Sequence, residues 1–255
     1  MYINEYGDKE APVMIMLAPM MVSGSDLYEL MGTRFTGKYR FISPDQGGHG
    51  KAGEYVSADE EYRTLKEYLN SRGITEITLV YAASLGVAVG YRIFMDPDFN
   101  IRKAWFDGVA LSENAGFAEW FMKKLFRNRK KKLAKTHIEA SSSLVKMYGY
   151  DFARMMTANF ERITENDIDA ICHACCHYKL RKFSEEEQKK LHLDFGEKDF
   201  DLKYYRKAIP FFMPGAELTI RKGYAHCGYM AAKPDEYVKQ IEKFIEGADE
   251  GAKIV

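Results

Sequence analysis

The chain has 255 residues, 46% hydrophobic and 14% aromatic, enough for one large α/β domain or a core carrying a smaller insertion. Basic and acidic residues balance at 37 each, which removes the global electrostatic case for nucleic acid or an anionic membrane and leaves small-molecule chemistry. No stretch reads as a signal peptide or a membrane span, and three of the four cysteines crowd between Cys172 and Cys176. A cytoplasmic protein with reduced thiols and no membrane insertion is therefore expected.

Residues 2–6 and 13–17 read as strands separated by the turn residues Gly7 and Asp8. Ala18-Pro19-Met20 follows the second, and 27–31 begins a helix for which Ser25 or Asp26 supplies the N-cap. Residues 39–43 form the next strand and lead into Pro44-Asp45-Gln46-Gly47-Gly48-His49-Gly50. So many glycines after a strand mean tight turning or close approach. No G-K-[ST] follows, which removes a nucleotide P-loop, and His49 reads as a structural loop histidine. Residues 57–71 read as a helix opened by a capping box of Ser57 and Glu60 and closed by Gly73.

Ile77, Leu79, Val80 and Tyr81 then make a run suited to a strand buried on both faces of a parallel sheet. From Leu85 the pattern turns into a mostly apolar helix, so Ser84 falls on a sharp strand-to-helix turn. Such a turn admits only small side chains two residues either side, and Ala82 and Gly86 meet that demand. The turn presents Ser84 Oγ above the sheet and sets the Leu85 N–H at a helix N-terminus. After the breaker Asp96-Pro97-Asp98, residues 104–111 give a further strand. Strands alternating with helices to this point predict a parallel sheet covered on both faces.

Between 112 and 190 the rhythm stops. Helices are read at about 119–135, 142–159 and 165–180, with no strand. The first carries Lys123, Lys124, Arg127, Arg129, Lys130, Lys131, Lys132 and Lys135, read as a solvated face. In the third, Thr164 and Asp167 form a capping box and Ile168, Ile171, Cys172 and Cys175 share an apolar face, which makes the thiols core residues. That helix offers a metal only its own i,i+4 pairs, such as His173 and His177, and no second ligand run completes a set, so no metal is expected. Residues 191–195 resume the strand pattern and enter Gly196-Glu197-Lys198-Asp199. A short helix near 202–208, a strand at 217–221, the loop Gly223-Tyr224-Ala225-His226-Cys227-Gly228 and a helix at 234–246 complete the chain.

Ala82-Ala83-Ser84-Leu85-Gly86 resembles the G-x-S-x-G nucleophile elbow of the α/β-hydrolase family, with Ala82 for the first glycine. Asp45, Gly48 and Gly50 match the family's D-x-x-G-x-G. Gly196 to Asp199 resembles its G-x-x-D, His226 stands where its histidine follows the last strand, and Ala18-Pro19 takes the place of His-Gly. The order Ser, Asp, His is also the family's. The resemblance implies a mostly parallel α/β-hydrolase sheet flanked by helices, with residues 1–111 and 191–255 as core and 112–190 as an inserted helical cap. It further implies Ser84 as nucleophile, His226 as base, Asp199 as acid, and the N–H groups of Met20 and Leu85 as oxyanion donors. Asp201 is the fallback acid, with Asp107 or Glu113 next. The expected activity is carboxylesterase-like hydrolysis of an acyl ester of a small, apolar molecule through an acyl-enzyme, with no cofactor and no metal. A ligand-binding protein with little turnover, and a C–C hydrolase or lyase using the same residues, are the rival readings.

Overall fold

The computed structural model describes residues 1–109, 111–136, 140–200, 202–247 and 253–254. Its first part alternates β1 (Glu5–Gly7), β2 (Val13–Leu17), α1 (Gly24–Leu30), β3 (Arg40–Ile42), α2 (Ala58–Ser71), β4 (Glu76–Ala83), α3 (Leu85–Phe94) and β5 (Asn100–Asp107). A run of helices follows: α4 (Gly116–Thr136), α5 (Ser142–Tyr148), α6 (Tyr150–Arg162), α7 (Glu165–Cys176) and α8 (Glu185–Gln188). The chain then returns through β6 (Leu191–Gly196), α9 (Leu202–Phe212), β7 (Glu217–Arg221), α10 (Gly228–Ala232), α11 (Pro234–Glu246) and β8 (Lys253–Ile254).

The strands form one sheet in the order β1-β3-β2-β4-β5-β6-β7-β8. Among the described strands only β1 runs antiparallel, on β3. Every residue of β2 is buried, as is most of β4 and β5, because helices cover both faces. On α3 every residue but Arg92 is buried, and α11 inserts Tyr237, Val238, Ile241, Phe244 and Ile245. Each of the buried Val, Leu, Ile and Phe side chains among them contributes about 1.5–3 kcal/mol on leaving water. The buried Trp105 ring stacks on His192 at 3.5 Å between centroids and donates its Nε1–H to Tyr237 Oη at 2.8 Å, tying β5 to α11.

Register places the site. Ala83 pairs with Asp107 and Asp107 with Asp194, so the carboxyl ends of β4, β5 and β6 lie in one row, with the end of β7 beside β6. Ligands of open parallel sheets bind at such a row.

Several elements depart from the sequence-based expectation. The first strand is shorter than residues 2–6 and shifted to Glu5–Gly7, with Tyr2 making only an isolated bridge to Asp45. α1 is capped by Ser23, not Ser25 or Asp26. Asp26 is instead the third helical residue, whose carboxylate reaches back to the Ser23 N–H. β5 starts at Asn100, ahead of the expected Ala104, and stops at Asp107, before Gly108 turns the chain with a φ of +62°. The helix read over 142–159 is two, broken at Gly149 with a φ of +82°, and α7 ends at Cys176. β8 was not foreseen. The four cysteines are free thiols, and no described helix is long and apolar enough to cross a membrane.

Candidate active site

Ser84 sits between β4 and α3 with φ 48° and ψ −111°, in a region that costs a non-glycine residue about 1–3 kcal/mol. The turn is fixed on both sides: the Ser84 N–H donates to the Asp107 carbonyl at 2.8 Å, and the Val87 N–H donates to the Ser84 carbonyl at 3.0 Å. A Cβ on Gly86 would lie 2.3 Å from the Leu17 carbonyl oxygen, so the end of β2 presses directly on the start of α3. Ala82 is tolerated in place of glycine because a glycine stands opposite it one turn along the helix. A Cβ on Gly90 would come within 2.7 Å of the Ala82 methyl.

His226 Nε2 lies 2.8 Å from Ser84 Oγ, and its Nδ1 lies 2.9 and 3.0 Å from the two carboxylate oxygens of Asp199. Two loops make this meeting possible. The Glu197 N–H donates to the Arg221 carbonyl and the Lys198 N–H to the Tyr224 carbonyl, each at 2.9 Å, while the Asp199 N–H closes a turn on the Gly196 carbonyl. Gly108 makes room for the imidazole, since a Cβ there would lie 2.7 Å from His226 Cε1. Tyr148, on α5, donates its hydroxyl to the His226 carbonyl at 2.9 Å, and the Phe200 ring stacks on the imidazole at 5.0 Å.

Burial disfavours a charged His226, but the adjacent Asp199 carboxylate outweighs it and raises the imidazole well above the ordinary histidine value. Its neighbour Cys227 is a neutral thiol, pushed up to about 12 by burial and then by Asp107. The Asp199 side chain is fully buried, whereas that of His226 keeps 18% of its surface open.

Asp107 is near but differently engaged. It accepts the Tyr237 hydroxyl at 2.9 Å, and burial, followed by the neighbouring Asp194, raises its carboxyl well above the usual range. Asp194 instead holds the Arg221 guanidinium, whose Nε is 2.9 Å from Oδ2. Glu113 is exposed, and Asp201 lies outside the described residues.

Met20 and Met21 turn the chain after β2, with Met21 at φ 71°. His49 grips this turn: its Nε2 accepts the Met21 N–H at 2.9 Å while Nδ1–H donates to the Gly47 carbonyl at 2.9 Å. That pairing sets the tautomer, and burial lowers the pKa, so the ring is neutral. Gln46 Nε2 also donates to the Ala18 carbonyl at 2.7 Å. No described acceptor within the protein takes the N–H of Met20 or of Leu85. The Met21 partner of His49 lies 28 residues away in sequence, beyond the reach of the local glycine pattern that marks His49 as a structural loop histidine. A cavity of about 90 Å³ lies beside Met21, its wall mixing Leu133, Leu144 and Phe160 with Arg129, Ser141 and Thr157.

No protein-family model matches the chain, and no curated protein matches it. Solved structures do. One is MGS-M2, an α/β-hydrolase enzyme from a Medee basin deep-sea metagenome, with TM-score 0.74, 14% identity, and 99% of this chain and 96% of that one covered. A structure from a study of carboxylesterases of the thaumarchaeon Nitrososphaera gargenis gives TM-score 0.74 and 14% identity over 97% and 96% of the two chains. Carboxylesterase CesB of Bacillus subtilis gives 0.65 and 16% over 96% and 87%. At these identities the likeness is one of fold.

Proposed function

We propose that this chain, which has the α/β-hydrolase fold, is a serine hydrolase that cleaves an acyl ester through an acyl-enzyme intermediate. One observation carries the reading: Ser84 Oγ, His226 and Asp199 form a continuous hydrogen-bonded chain, at 2.8 and 2.9 Å, starting from a serine on a strained turn. The esterase and carboxylesterase names among the structures sharing the fold support it.

In this reading His226 Nε2 takes the Ser84 proton as Oγ attacks the acyl carbonyl, and Asp199 orients the ring and stabilises the imidazolium. The N–H groups of Met20 and Leu85 receive the oxyanion, in places where no acceptor among the described residues competes for them. Collapse of the tetrahedral intermediate expels the alcohol, protonated by His226. Water, deprotonated by the same ring, then attacks the acyl-serine and releases the acid. No cofactor is needed. Residues 112–190 serve as a cap, a role supported by Tyr148 bonding the His226 carbonyl and by the cavity that α4, α5 and α6 help to line beside Met21.

Hydrolysis of a short-chain p-nitrophenyl ester by the wild type and by Ser84→Ala tests the proposal. Turnover that disappears in a folded Ser84→Ala variant is expected. Tight ligand binding with no turnover in the wild type would favour the binding-protein reading.

A further inference from the structure

By itself the cysteine and histidine run at the end of α7 offers a metal no second element to complete a site. The fold supplies one. Glu119, near the start of α4, meets both histidines: His173 Nδ1 is 3.3 Å from Oε1 and His177 Nε2 is 2.7 Å from Oε2. We propose that Glu119, His173 and His177 bind one divalent ion of the zinc type, which clamps α4 to α7.

The geometry favours it in three ways. First, His177 caps the end of α7 four residues after His173, and the two imidazoles lie side by side with centroids 4.4 Å apart, each turning a nitrogen to the same carboxylate. Second, the three ligand atoms already lie within 4.8 Å of one another. Zinc takes nitrogen and oxygen ligands at about 2.0–2.2 Å, so tetrahedral ligand atoms sit roughly 3.3–3.6 Å apart. A small opening of the His177 to Glu119 contact accommodates the ion. Third, the His173 side chain is 64% exposed and that of His177 27%, which leaves an entry path and an outer position for water. Two imidazoles with one carboxylate suit zinc and its transition-metal neighbours over magnesium or calcium.

One feature of the cluster opposes binding. Lys123 Nζ is 2.5 Å from Glu119 Oε1, and its charge competes with any cation there. The lysine is one turn along the same helix on a long, partly exposed stem, so it can swing into solvent. That competition also separates a metal site from a plain polar cross-link between helices, because removing the lysine should tighten a metal site.

Calorimetric titration of the whole, chelator-treated chain with Zn²⁺, and separately with Mg²⁺, tests the assignment. One Zn²⁺ per chain and no Mg²⁺ binding are expected, with a higher Tm in Zn²⁺. Glu119→Gln and His177→Gln should each weaken binding at least tenfold while keeping the hydrogen-bonding shape. Lys123→Met should strengthen it, and Cys175→Ala should leave it unchanged. The proposal is overturned by a folded wild type that takes no Zn²⁺. It is equally overturned by binding that survives a folded His173→Gln/His177→Gln double variant, by weaker binding in Lys123→Met, or by loss of binding in folded Cys175→Ala. None of these readouts depends on esterase turnover.

Discussion

Ala82 and Gly90 are complementary: the methyl on β4 occupies the space that a side chain on α3 would need, with 2.7 Å between the Ala82 Cβ and a Cβ built on Gly90. Phe106 Cε1, at 3.3 Å from the same point, closes the other side. Gly90→Ala should therefore destabilise. The helix-propensity gain of about 1 kcal/mol is outweighed by overpacking of about 1–3 kcal/mol, which also shifts the start of α3 under Ser84. Adding Ala82→Gly should restore most of the loss. Urea unfolding of the two single variants and the double variant checks this, with a favourable coupling energy expected.

The two buried aspartates near the site should respond differently to the same change. Asp199→Asn removes the carboxylate that faces His226 Nδ1 and should lower kcat by roughly 10⁴-fold, the scale known for the triad aspartate of a serine protease. Asp107→Asn replaces a carboxyl whose pKa burial raises and keeps an oxygen to accept the Tyr237 hydroxyl, so fold and turnover should be largely retained. Steady-state kinetics on one activated ester, with circular dichroism to verify folding, distinguishes them. The reverse pattern would move the acid to Asp107.

The raised pKa of His226 gives a signed pH dependence. In the proposed mechanism its neutral form is the base, so kcat/KM should climb with pH to a midpoint above the ordinary histidine value of about 6.5. For stability the direction is opposite: the charged ring's favourable contact with Asp199 is fully present below about 6.5 and fades as pH rises through the folded pKa. Asp199→Asn should move the activity midpoint down and remove that stability contribution. Parallel pH–rate and pH–unfolding profiles measure both.

His49 should behave as a positioning residue for the turn that carries Met20. His49→Leu leaves the Met21 N–H without its acceptor, costing about 1–3 kcal/mol. It should also lower kcat by up to about 10²-fold, the scale of losing one oxyanion donor, with little change in KM. Because burial lowers the His49 pKa, its contribution is present above about 6.5 and is lost as pH falls through the folded value, when protonation removes the Nε2 acceptor. A flat kcat in a folded His49→Leu would remove this role.

The sheet was legible in sequence wherever burial on both faces leaves an apolar run, as in Met14 to Leu17 and Leu79 to Ala83. The proximity of Ser84, Asp199 and His226 was legible through the resemblance to the α/β-hydrolase motifs, which sets each of them just after a strand. What stayed hidden depends on neighbours distant in sequence. Asn100 to Lys103 reads as polar, yet it pairs with Glu76 to Leu79 because an outer strand segment tolerates Arg102. The 142–159 pattern continues its helical period across Gly149, and only the φ of +82° there separates α5 from α6. Neither the Met21 partner of His49 nor the Glu119 partner of the two histidines leaves a local trace, since they lie 28 and more than 50 residues away.

The central claim is that Ser84 is an activated nucleophile. Incubating the folded chain with a fluorophosphonate and mapping the adduct by mass spectrometry tests it most directly. The account predicts one label per chain on Ser84, abolished in Ser84→Ala and strongly slowed in His226→Ala. No labelling of folded protein, or stoichiometric labelling at another residue, would contradict it.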